Sequence, residues 1–308
     1  MIWIAAPPAD TRTEPARARV HLRYEDVSQD GRLLLEVMPN ALGAAVWSQQ
    51  LARDPVAQAC IASGVVPILT RFVIEGAPGP FGVATPLAVT GRFALGQVFD
   101  ARDAPQRVVL NMWAELTGPI ARTYPPQPAN AGAIAPAGRI FGEHVFTRLF
   151  APPGERRVRT LDVPGAPAPP RYEQRPFSAM FDLPQGARAL GDLAPEDATV
   201  VFGLVHTDSN QHVNSLVYLR LFEEAALRRF AAIGRREPCL ARKLDIAYRK
   251  PCFAGDRMRV HVQPLDVDGS GALGAVVAIA PDGEPATRAH AVARLLFERS
   301  PQNPLPTV

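Results

Sequence analysis

A chain of 308 residues is long enough for two domains. Its 47% hydrophobic and 20% charged residues are ordinary globular composition and exclude a largely disordered chain. A net charge of +3 gives no mark of a nucleic-acid binder. In chain order, Arg17 to Tyr24 and Arg32 to Val37 read as short strands joined by a turn at Gln29-Asp30-Gly31. Ala41 to Ile61 reads as a helix with Leu42, Val46, Leu51 and Ala59 inward, kinked or broken at Asp54-Pro55. Val65 to Ile74, Leu87 to Phe99, Val108 to Leu116 and Phe141 to Phe150 follow as strands.

The second half repeats this order. Phe177 to Phe181 and Thr199 to Val205 are strand-like, and Val213 to Ile233 reads as a helix apolar nearly all round, hence buried on most sides. Leu240 to Tyr248, Arg257 to Leu265, Ala272 to Ala280 and Arg288 to Phe297 follow as strands. The Pro-rich stretch Val163-Pro-Gly-Ala-Pro-Ala-Pro-Pro favours extended chain, so we expect halves at 1–162 and 175–308 with a linker at 163–174. A long helix followed by long strands, twice over, predicts an α+β chain. Each half would be an antiparallel sheet wrapped around a long central helix.

Several classes fall away. The cysteines Cys60, Cys239 and Cys252 are too few and scattered for a disulfide framework or a metal site, so no metal and no cofactor are expected, in a reducing, cytoplasmic setting. Met1 to Pro8 lacks a basic leader and reads as no signal peptide. No run approaches the roughly 18 apolar residues of a membrane span.

The segment that carries chemistry is His206-Thr-Asp-Ser-Asn-Gln-His-Val-Asn-Ser-Leu-Val-Tyr218. Asp208, Asn210 and His212 alternate just before the helix, where unpaired backbone N–H groups and the helix dipole can hold a developing oxyanion. Taken alone, Asp208, Ser209 and Asn210 also read as plain helix caps. The run Asp208-x-Asn210-Gln211-His212-Val213-Asn214, with Tyr218 four residues on, resembles the hot-dog thioesterase superfamily, and within it the acyl-ACP thioesterases. Leu244 to Cys252 is similar to their strand ending in Tyr-Arg, and the likeness covers Val205 to Arg257.

This resemblance implies a tandem double hot-dog with the active site in the second half. It implies hydrolysis of an acyl-ACP or acyl-CoA thioester to a free acid, and assigns catalysis to Asp208, Asn210 and His212. Asp208 would be base or nucleophile; the other two would orient and stabilise the tetrahedral intermediate. Where the family has a glutamate before the cysteine, this chain has Pro251. Glu223 and Glu224 are candidate substitutes, or simply a solvated or ion-paired helix face. Asn214 and Tyr218 read as supporting residues. Cys252 reads either as the nucleophile of a Cys-His-Asn set or, as we favour, as a small buried residue near the pocket.

The first half shows no matching constellation. Asn40 near its helix lacks companions, Glu36 and Glu75 read as exposed, and His21, His144, His261 and His290 read as isolated. From Arg220 to Lys250, nine basic residues face four acids, a local +5 that would suit an acidic carrier or a phosphopantetheine phosphate near the site mouth. The partners implied are an acyl carrier protein or a CoA-linked acyl substrate, with no nucleic acid, no membrane and a possible homodimer. Two other readings stay open. Hot-dog hydratases resemble Asp-x-Asn-Pro-x-His, a spacing this chain lacks; a non-catalytic acyl or carrier binder is kept alive by Pro251.

Overall fold

The computed structural model describes residues 4–8, 14–166, 168–267, 269 and 271–300. Met1 to Trp3 of the leader reading, Pro167 of the linker and the last eight residues lie outside them. The chain is α+β and separates into two compact units. Residues 4–33 and 37–175 form the N-terminal half; the chain from Pro176, together with Leu34–Glu36, forms the C-terminal half.

In the N-terminal half, β1 (Ala16–Val20) leads to a 3-10 turn at Tyr24–Asp26. Gly31 takes φ +87°, and a Cβ there would fall 2.4 Å from Pro80 Cβ, so the expected turn requires glycine on both counts. The strand expected at Arg32 to Val37 does not form. One bridge, Val27 to Leu33, precedes a 3-10 segment at Leu35–Val37. Leu33, Leu35 and Val37 alternate as in a strand and are all buried, but they reach their buried positions from a turn entering a helix.

That helix is built in pieces, not as one long element: α1 (Met38–Ala41), a π-helical stretch Leu42–Gln50, a 3-10 turn Leu51–Arg53, and α2 (Pro55–Ala62). Asp54 marks the break, its side chain accepting the Ala57 N–H at 2.8 Å as an N-cap, with Pro55 in the first helical position. The break resets the helical phase, so Cys60 is buried where Ala59 was expected. Strands β2 (Val65–Gly76), β3 (Leu87–Phe99), β4 (Pro105–Pro119) and β5 (Ile134–Arg148) complete an antiparallel sheet in the order β1-β3-β4-β5-β2. The π-helical stretch lies so close to it that a Cβ on Gly91 would stand 2.7 Å from Ala45 Cβ. The Pro-rich segment ends docked on this half: the Tyr172 hydroxyl and the Gln174 amide donate to Glu143 at 2.8 and 2.6 Å.

In the C-terminal half, Phe177–Met180 is a 3-10 turn, not a strand, because the buried Arg294 donates to the carbonyls of Ala179, Met180 and Asp182 and holds the turn closed. Then come β6 (Ala187–Ala189), β7 (Ala194–Val201), α3 (Ser215–Ala232), β8 (Cys239–Tyr248), β9 (Arg257–Val267), β10 (Ala272–Pro281) and β11 (Ala291–Arg299). Their antiparallel order is β8-β11-β10-β9, with β6 and β7 both paired to β9. Met180 packs with Ala247, Leu265, Val276, Ala278 and Val292, while α3 also packs on β9 and β10. The helix buries one stripe, Tyr218, Leu219, Phe222, Ala225, Ala226 and Phe230; Leu216, Val217, Leu221 and Leu227 are only half-buried, so it is less enclosed than its composition suggested.

Candidate active site

Between β7 and α3 the chain makes a 3-10 turn, Leu204–His206, then a tight loop closed by a single bridge from Thr207 to Val213. His206 Nδ1 accepts the Gly203 N–H at 2.9 Å, and its ring meets Phe202 edge-on at 5.6 Å. Within the loop Asp208 N–H donates to the His212 carbonyl (3.2 Å), and Gln211 N–H donates to the Asp208 carbonyl (2.9 Å). This curl puts Gln211 at φ +65°, a conformation non-glycine residues seldom take.

The Asp208 carboxylate is held at both oxygens. Oδ1 accepts the Asn210 N–H at 2.8 Å, and Oδ2 accepts from Asn214 Nδ2 at 3.1 Å. Asn214 is itself the N-cap of α3, its Oδ1 accepting the Leu216 N–H at 2.8 Å. Plain capping therefore does not account for Asp208, Ser209 or Asn210, since Asn214 does that work. His212 Nδ1 lies 3.2 Å from the Val213 carbonyl. A carbonyl can only accept, so Nδ1 carries the proton and Nε2 keeps a lone pair. His206, which accepts at Nδ1, is the opposite tautomer.

The loop thus gathers Asp208, Asn210, His212 and Asn214, with Asn210 exposed and the other three half-buried. The row of free amides expected for an oxyanion is narrower than the helix start suggested. The N–H groups of Asn210, Gln211, Val213, Asn214 and Leu216 all have partners within this half. The Asn210 amide is the side-chain donor that remains to meet a substrate oxygen, with His212 Nε2 as an acceptor in the same loop.

Behind the loop, Tyr218 is 3% exposed and packs its ring against Phe202, Phe222 and Tyr248. Burial pushes its phenol well above the usual range, and its hydroxyl bonds the Cys252 thiol. Cys252 has no exposed surface, and burial pushes its thiol up to about 11. The imidazole recorded on it is His290, with Nδ1 at 3.4 Å from Sγ, and not His212. The same Nδ1 lies 3.1 Å from the carbonyl of Pro251, so a half-buried histidine, its pKa lowered mainly by burial, sits beside the position where an acid was expected. His290, which reads as isolated in the sequence, meets Pro251 and Cys252, and His206 meets Gly203 and Phe202. The fold of the loop and its neighbours sets these contacts, and no spacing rule gives them.

Glu223 and Glu224 are not brought to the loop. Glu223 accepts the Ala241 N–H at 2.8 Å, with its pKa raised chiefly by burial, and it lies about 12 Å along α3 from Ser215 at 1.5 Å per residue. Glu224 is exposed, 3.9 Å from Arg228. The basic surplus also shrinks. Arg220 grips Glu36 at 2.8 Å, Arg228 grips Glu196 at 2.6 Å, and the buried Arg242 lies 3.5 Å from Glu298, all acids outside the stretch. Arg235 and Arg236 follow the far end of α3, about 27 Å from its start. Arg249, stacked 4.8 Å over the Phe177 ring, and Lys250 are the cations beside Pro251.

The N-terminal half contains the same loop. Tyr24–Asp26, the Val27 to Leu33 bridge and Gly31 at positive φ match Leu204–His206, the Thr207 to Val213 bridge and Gln211 in order and spacing. Ser28, Asp30 and Arg32 stand where the other half has Asp208, Asn210 and His212. Here Arg32 and Asp30 form a buried ion pair at 2.7 Å, and Ser28 Oγ donates to Asp30 at 2.6 Å.

Residues 210–285 match the family model of the thioesterase superfamily. Among solved structures, a protein of Lactobacillus plantarum provisionally assigned as an oleoyl thioesterase superposes with TM-score 0.61 at 15% identity, over 96% of this chain and 99% of that one. This chain has the double hot-dog fold, and residues 210–285 of its second half are similar to the thioesterase superfamily. An acyl-ACP thioesterase from Bacteroides thetaiotaomicron superposes on the double hot-dog with TM-score 0.55 at 15% identity, covering 92% of this chain and 98% of that one. The 12:0-ACP thioesterase of Umbellularia californica gives 0.52 at 13% identity, over 92% and 94%. No curated protein matches the double hot-dog chain by sequence. Among its described residues there is no helix long and apolar enough to cross a membrane, and no cluster of three His, Cys, Asp or Glu able to hold a metal.

Proposed function

We propose that this chain hydrolyses an acyl thioester, carried by an acyl carrier protein in preference to coenzyme A, and releases the free acid. The observation that carries the reading is the Asp208 carboxylate, fixed at both oxygens in front of α3 between an exposed Asn210 and a half-buried His212. Asp208 removes a proton from water as the oxygen adds to the thioester carbonyl. Asn210 donates to the oxyanion that forms. His212, whose Nδ1–H is committed to the Val213 carbonyl, accepts from the attacking water at Nε2 and orients it. Collapse breaks the C–S bond, and the sulfur leaves with the proton that Asp208 took from the water.

Thiol release from a panel of acyl-ACP and acyl-CoA substrates tests the reading. Asp208→Asn lowers the rate on the order of a hundredfold or more, the scale for losing a general base. Its melting temperature stays near that of the wild type, because Asn214 and not Asp208 caps the helix. His212→Ala acts in the same direction. A wild type that binds acyl carrier tightly and releases no thiol establishes a binding module instead, and an unchanged rate in Asp208→Asn removes this site assignment.

A further inference from the structure

Resting on the hydrolase reading, we infer that Asn214 is the positioning residue that fixes the Asp208 carboxylate to the first turn of α3. One amide makes both connections: Nδ2 donates to Asp208 Oδ2 at 3.1 Å, while Oδ1 accepts the Leu216 N–H at 2.8 Å. The main chain of the same residue donates to the His206 carbonyl at 2.9 Å and so ties down the start of the loop as well. Asn is the side chain that serves here, because it presents a donor and an acceptor a fixed distance apart. Aspartate can cap but has no donor for a carboxylate, and serine offers a single, shorter-reaching oxygen where asparagine sets a donor and an acceptor on separate atoms.

Two further observations point the same way. Only Asn210 N–H and Asn214 Nδ2 bond the carboxylate among the described residues; His206 and His212 flank it in the loop, and Cys252 and His290 lie on neighbouring segments, without a bond to it. Asn214 is therefore the sole side chain that aims it. In the N-terminal copy of the loop, where Ser28 replaces the reactive carboxylate, the matching position is Leu34, which has no amide to offer. The amide stands only where there is a carboxylate to hold.

The test separates capping from aiming. Asn214→Ser keeps a capping oxygen but, being shorter, withdraws the donor from Asp208 Oδ2, so its melting temperature stays near wild type while kcat falls about tenfold with little change in KM. Asn214→Asp also caps, but sets a second carboxylate against Asp208, so the acid limb of its kcat/KM profile moves to higher pH by about one unit. A merely structural role moves neither. Independently of turnover, the Asn214 side-chain amide followed by NMR shifts with pH in the wild type and stops doing so in Asp208→Asn. Wild-type rates and pH profiles in both Asn214 variants, with Asp208→Asn inactive, overturn the inference and leave the hydrolase reading standing. An absence of hydrolysis in the wild type sinks the hydrolase reading, and the NMR response still decides whether the amide holds the carboxylate.

Discussion

With no exposed surface and a thiol that burial pushes up to about 11, Cys252 stays protonated through the neutral range, and a protonated thiol is a poor nucleophile. Its neighbours are the Tyr218 hydroxyl and His290, so removing sulfur leaves a small void and a buried hydroxyl short of a partner. Cys252→Ala therefore costs about 1–2 kcal/mol of stability and keeps most of the thioesterase rate. Intact-mass spectrometry after alkylation at pH 8 finds Cys252 unmodified in folded protein, and an acyl group trapped on it refutes this view. That Asp208, Asn210 and His212 share one loop ahead of α3 was legible in the sequence, since they alternate just before an apolar helix. What marks them as a candidate site is the resemblance carried by the run Asp208 to Asn214. The double role of Asn214 and the contacts of His206 and His290 were not legible, because each depends on a backbone atom brought near by the loop's curl.

Among the elements, most long strands were readable to within about three residues and β3 coincides with Leu87 to Phe99, but β5 starts at Ile134 and not Phe141, and β7 spans Ala194–Val201 where Thr199 to Val205 was expected. The break at Asp54-Pro55 was readable because proline removes a helical N–H and aspartate supplies a cap. Arg32 to Val37 and Phe177 to Phe181 misled, since short apolar runs have no period that separates a strand from a 3-10 turn. The close approach of the π-helical stretch to β3 makes a direct prediction. Gly91→Ala puts a methyl group 2.7 Å from Ala45 Cβ and costs about 1–3 kcal/mol by overpacking, read as a lowered urea midpoint. At the exit of β8, Lys250 and not the distant Arg235-Arg236 pair stands beside Pro251. Lys250→Glu weakens turnover of a carrier-linked substrate more than that of a small thioester and blunts its salt dependence. Equal losses on the two substrates count against carrier docking there.

At the scale of the whole molecule, one loop design appears twice, and the two copies diverged in charge: a buried Asp30–Arg32 ion pair in one half, a carboxylate held by amides in the other. The N-terminal half also buries an ionisable group that the proposed chemistry does not use. His144 on β5 is 5% exposed, meets Trp47 edge-on at 5.6 Å, and has an Nδ1 without a partner among the described residues. Burial is the main cause that drives its pKa down to about 4, against 6.5 for an exposed imidazole. The folded state thus leaves it neutral where the unfolded chain takes up a proton. As pH falls from 6.5 to about 4 the unfolded state binds more protons, so stability declines, by about 3 kcal/mol over the whole interval. Of the three tryptophans, Trp47 and Trp113 lie in this half, so fluorescence-detected urea unfolding in a Trp3→Phe background follows the N-terminal half. His144→Phe keeps an apolar ring against Trp47 and removes the proton site. Its stability falls less steeply between pH 6.5 and 4 than that of the wild type. Carboxylates protonate alike in both proteins, so the difference in slope isolates the imidazole, and parallel pH dependences show that His144 does not set the acid limit of this half.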